Sequence, residues 1–96
     1  MSNNPNNILE SYILASKEKI SDDGLEEILH YYEHGEYEMS FEGLVIELMN
    51  VRNYPNNFDF IDWKKLALYY GLDKETVFEG DFWIKFMNWG EKFLAR

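Results

Sequence analysis

Ninety-six residues support a single core, and 46% hydrophobic with 18% aromatic residues can fill it, which excludes intrinsic disorder despite the charge. The absence of cysteine excludes disulfides and thiolate chemistry and points to a reducing cytoplasm; residues 1–7 lack the features of an export signal, and no stretch is apolar enough to span a membrane. The net charge of −9 lies wholly on residues 1–50, where eleven acids face two lysines, while residues 51–96 balance at seven against seven. Such a half repels phosphates and anionic membranes and steers a cationic partner.

In chain order, Asn7 with Glu10 three residues on has the character of a capping box, and Leu9, Tyr12, Ile13, Ser16 and Ile20 follow at helical spacing. A first helix is expected over 8–19. Ser21 is placed to cap a second helix, with Asp22 and Asp23 in its first turn and Leu25, Ile28, Leu29 and Tyr32 as its buried stripe. His34 and Gly35 end it, glycine being suited to a left-handed position after a helix. Only Gly35 and Glu36 then separate it from a third apolar run of Tyr37, Phe41, Leu44, Val45 and Leu48, so helices two and three should form a tight antiparallel hairpin.

The Asn53-Tyr54-Pro55-Asn56-Asn57 stretch breaks the chain. Asp59 can cap a fourth helix ending at Tyr70 before Gly71; Asp73 opens a short turn through Val77, and Gly80 leads into a last helix rich in Phe and Trp. The motif Pro-Asn-Asn-apolar at 5–8 and 55–58 is too short to indicate duplication. No segment alternates as a strand would. The expected fold is all-α, a compact bundle of five or six short helices round a central helix hairpin, one domain over 1–96 with 1–6 as a flexible N-terminus.

Catalytic patterns are few. His30, Glu33 and His34 match the spacing of a zinc peptidase helix, but a third ligand and a cleft are wanting and His34 lies where the helix ends, so ordinary surface or capping histidines are the better reading. Glu38 and Glu42, one turn apart, could pair as acid and base; with few cations and no nucleophile nearby, a solvated acidic face is the stronger reading. Most aromatics of 82–93 have core spacing. Tyr31, off the buried stripe and among acids, and Tyr54, in the Asn-rich loop, are candidates for interface anchors.

The corner His34-Gly35-Glu36-Tyr37-Glu38-Met39-Ser40-Phe41-Glu42-Gly43-Leu44 resembles the signature of small bacterial immunity proteins, of the Maf type and related contact-dependent growth inhibition families, with Ser40 where those proteins usually carry alanine. The resemblance covers residues 5–75. It implies an antidote to a secreted toxin, often a nuclease, and gives Glu36 and Glu42 of the signature structural roles, through capping or pairing at the corner.

The function expected is therefore that of a non-enzymatic immunity protein binding one cognate toxin domain, one to one, through Asp22, Asp23, Glu26, Glu27, Tyr31, Glu33, Glu36, Glu38 and Tyr54. No cofactor, metal, nucleic acid, membrane or small-molecule substrate is expected. The alternative is a general acidic interaction or adaptor module. A neighbouring gene for a basic toxin domain favours the first, and tight binding to several unrelated partners the second.

Overall fold

The computed structural model describes residues 4–95. Five helices follow one another: α1 (Pro5–Ser16), α2 (Asp22–Glu33), α3 (Tyr37–Val51), α4 (Phe60–Tyr69) and α5 (Phe82–Leu94). No strand occurs among the described residues.

Helix α1 starts and ends three residues earlier than its periodicity suggests. Pro5 occupies the first turn, where its missing N–H is no loss and its fixed φ suits the helix. The cap is Asn4, whose side chain accepts the Asn6 N–H at 2.8 Å, rather than Asn7, which lies inside the helix. Residues 4–6 are correspondingly not a loose end: the Tyr32 hydroxyl donates to the Asn6 carbonyl and the Tyr70 hydroxyl to its Oδ1, each at 3.1 Å. The rest of the expected flexible segment, residues 1–3, lies outside the described residues. The two Pro-Asn-Asn motifs also differ, since Pro55 accepts from Phe58 in a turn whereas Pro5 is helical.

The corner between α2 and α3 is a Schellman motif. Gly35 has φ +75°, its N–H donates to the Tyr32 carbonyl, and the Glu36 N–H reaches back to the Tyr31 carbonyl. From this corner α3 runs back along α2. The Ser40 hydroxyl donates to the Ile28 carbonyl at 3.0 Å, and Gly24 lies against Glu47. A small residue at position 40 thus lets the helices approach and its buried hydroxyl finds an acceptor.

Helix α3 is the inner arm of the hairpin, packed against α1, α2 and α5. It buries Phe41, Leu44, Val45 and Leu48, whereas α2 is the outer arm and fully buries Ile28 alone. Leu25, Leu29 and Tyr32 of its expected stripe are half-buried. The core draws on all five helices round Trp63, which stacks on Tyr12 at 4.2 Å and meets Phe41 and Phe58. No helix of the described residues is long and apolar enough to cross a membrane.

Candidate functional site

Helix α2 sets the geometry of the site. The Ser21 hydroxyl accepts the Gly24 N–H at 3.0 Å, and Asp22 and Asp23 in the first turn meet the positive end of the helix dipole. Residues turn by about 100° each. With Ile28 inward, Asp22, Asp23, Glu26, Glu27, His30 and Glu33 therefore fan out over the opposite side, and all are exposed. None of these acids is ion-paired within the described residues, where Lys85 alone makes such pairs, with Glu79 and Asp81.

The fan has two unlike edges. Along one, Leu25 and Leu29 form an apolar seam bordered by Asp22, Glu26 and Glu33 in a shallow depression of about 360 Å³. Along the other, the Tyr31 hydroxyl donates to Glu27 Oε1 at 2.8 Å and the Tyr31 ring leans on Phe78 at 5.8 Å. The carboxylate beside it, first through that hydrogen bond, raises the Tyr31 hydroxyl above its usual range. A cleft of about 270 Å³ opens here between α2, α3 and residues 78 and 79.

The other expected site residues divide. Glu36 is exposed next to this edge, where its charge acts on Tyr31, and its side chain makes no capping bond to α3. Glu38 is exposed but acts on Tyr70, so it belongs to another side of the corner. Tyr54 is half-buried rather than exposed in its loop. Its ring stacks on Trp89 at 4.6 Å and its hydroxyl donates to the Trp89 carbonyl at 2.7 Å, closing the Asn-rich loop onto α5. A tyrosine between turn residues reads as exposed until the helix that covers it is known.

Glu42 overturns the solvated acidic face expected for it with Glu38. It is fully buried, and its carboxylate accepts the backbone N–H groups of Val77, Phe78 and Glu79 at 2.7, 2.7 and 3.0 Å. Its role is structural, as the signature implies, but it clamps the segment before α5 rather than the corner. His30 and His34 stand with ring centroids 4.2 Å apart, and His34 Nδ1–H donates to the His30 carbonyl at 2.8 Å, a bond of a helix end. Among the described residues no group of three or more His, Cys, Asp or Glu is placed to hold a metal ion.

Sequence reasoning missed Phe78, Glu79, Glu47 and Gly43, all of which line the cleft. Only Gly43, a glycine in the interior of a helix, carries a signal in the sequence. A larger groove of about 660 Å³ between α3 and α5 is bordered by Arg52, Lys85 and Lys92 together with Glu79. Compared with protein-family models, curated proteins and solved structures, the chain matches none.

Proposed function

We propose that this chain is an immunity protein of the cytoplasm, which neutralises a basic toxin domain by laying the outward face of α2 over its substrate cleft or the rim of that cleft. The observation that carries this reading is the set of exposed acids on α2, unpaired within the described residues and interrupted by the Leu25–Leu29 seam. Acids that lack cations of their own are open to pairing with a partner's. The apolar seam supplies area that can be desolvated, and Tyr31 is an aromatic of the kind that anchors interfaces. The resemblance at the 34–44 corner supports the same class of function. A nuclease domain fits as partner because it must offer phosphates a positive cleft, and an acidic helix competes for the same charges. The protein itself catalyses nothing in this reading.

The test is survival of cells producing the toxin domain encoded beside this chain, with calorimetric titration of the purified pair. Wild type is expected to protect and to bind one to one. Glu27→Lys with Glu33→Lys should remain folded, lose protection and bind at least about tenfold more weakly, since close interfacial charge pairs couple strongly. Glu75→Lys with Glu91→Lys, on exposed positions of the neutral half, is the control. Full protection by the α2 variant with failure of the control would move the interface to the C-terminal half.

A further inference from the structure

We infer that the cleft beside Tyr31 is a socket for one arginine side chain of the protein partner. The inference rests on the reading of α2 as a partner-binding face and names what that face grips. Tyr31 and Phe78, in contact, form an aromatic wall; Ile28, Gly43 and Ile46 make the floor; Glu27, Glu47 and Glu79 supply charge. The volume of about 270 Å³ is at the small end for a ligand pocket and suits a single side chain.

Two features of the fold keep this socket open. Phe78 remains 44% exposed although its backbone is held by the fully buried Glu42 carboxylate. A buried carboxylate thus holds the backbone that carries a part-exposed aromatic ring, which lowers the ordering cost of using that ring as an anchor. Gly43 is the second feature. Glycine is a poor residue inside a helix, yet a Cβ there would stand 3.6 Å from Ile28 and 3.9 Å from Phe78, ordinary contact distances. Packing does not demand glycine at 43, and a methyl there would take room from the cleft that it lines.

The chemistry selects the occupant. Each carboxylate has one neighbour already: Tyr31 on Glu27, the Ser21 hydroxyl at 3.3 Å on Glu47, and Lys85 at 3.5 Å on Glu79. Each keeps an oxygen free of these contacts. No three acids within the described residues converge as metal ligands, so their charge favours a longer cation that can span them. A guanidinium does so while stacking on an aromatic face and donating in a planar fork, which an ammonium cannot match.

The experiment titrates the free protein with capped Gly-Gly-Arg-Gly-Gly, followed by amide shifts in two-dimensional NMR, with lysine and the neutral isostere citrulline in place of arginine as comparisons. The arginine peptide should shift the amides of Gly24, Gly43, Phe78 and Glu79 saturably, the lysine peptide should bind more weakly, and citrulline should not bind. Phe78→Ala should lower the affinity by about fivefold through loss of a cation–π partner. Gly43→Ala should melt no lower than wild type and still lose about fivefold or more, because a methyl fills the socket floor. Equal shifts with citrulline or lysine, shifts elsewhere, or unchanged affinity in Gly43→Ala would overturn the socket. The toxin is absent from this titration, so the two readings fail separately. Protection lost on charge reversal without an arginine response keeps the α2 reading and removes the socket, whereas an arginine response without toxin binding does the reverse.

Discussion

Glu42 and Tyr12 show how single side chains hold this fold. Three charge-assisted backbone bonds converge on Glu42 and tie residues 77–79 to α3, a segment with no helical bonds of its own. Glu42→Gln keeps the shape but turns an NH2 group toward one of those donors. The expected loss is about 2–3 kcal/mol, read from urea unfolding, with faster hydrogen exchange at Val77 and Phe78. A change below about 0.5 kcal/mol would mean that the clamp adds little. Tyr12 is held differently, stacked on Trp63, and burial, then the Asp62 and Asp59 carboxylates, push its hydroxyl up to about 12. An unfolded tyrosine titrates near 10, so the folded chain keeps a proton that the unfolded chain gives up between about 10 and 12. Stability is therefore full below about pH 10 and falls as pH rises toward 12. Tyr70 shifts the same way, from burial first and then from Tyr69 and Glu38. Melting temperatures measured from pH 8 upward should show this alkaline decline, and Tyr12→Phe should make it shallower. At this scale the Ser21, Gly35 and Asp59 signals were legible, because capping is decided within four residues. Glu42 was not, since its partners stand 35 to 37 residues away.

Helices form where the periodicity puts them, and their ends follow local chemistry. The expected spans for α2 and α4 hold to within a residue or two, while α1 is displaced because Pro5 opens it ahead of the first apolar contact. A mid-helix glycine is harder to interpret, since propensity gives the same prediction for Gly43 and Gly90 and the packing does not. A Cβ on Gly90 would collide with the ring of Phe60, so this glycine lets the start of α4 approach α5. Propensity alone would make Gly90→Ala stabilising by up to about 1 kcal/mol. The collision with a buried ring reverses the sign. Gly90→Ala is expected to destabilise by about 1–3 kcal/mol, which thermal and urea unfolding will measure. The paired glycines separate a position where a Cβ would collide from one where it would make ordinary contacts. Sequence alone could not tell them apart, because the distinction lies in what faces the missing Cβ.

Across the whole molecule the charge asymmetry visible in the sequence becomes a spatial one in the α2 fan, whose exposed acids have no ion partners among the described residues. Although Glu38 falls on another side of the corner, the exposed acidic face of α2 was legible in its residue types. Its division into two edges was not, since Tyr31 meets Phe78 only through the way residues 77–79 return to α3. Tyr54 left the patch for the same kind of reason, drawn in by α5. An excess of −9 on one half has a kinetic consequence for the proposed complex. Opposite charges accelerate the encounter over distances up to the Debye length, about 10 Å at 0.1 M salt. Contacts made after docking are short-ranged and less screened. Raising salt should therefore slow association with the basic toxin domain more than it speeds dissociation. Stopped-flow mixing at increasing ionic strength measures both rates. Glu27→Lys with Glu33→Lys should lower the association rate at low salt and reduce its salt dependence, while Glu75→Lys with Glu91→Lys should leave the slope closer to wild type. An association rate indifferent to salt would remove electrostatic steering and leave the α2 acids only the contacts they make once docked.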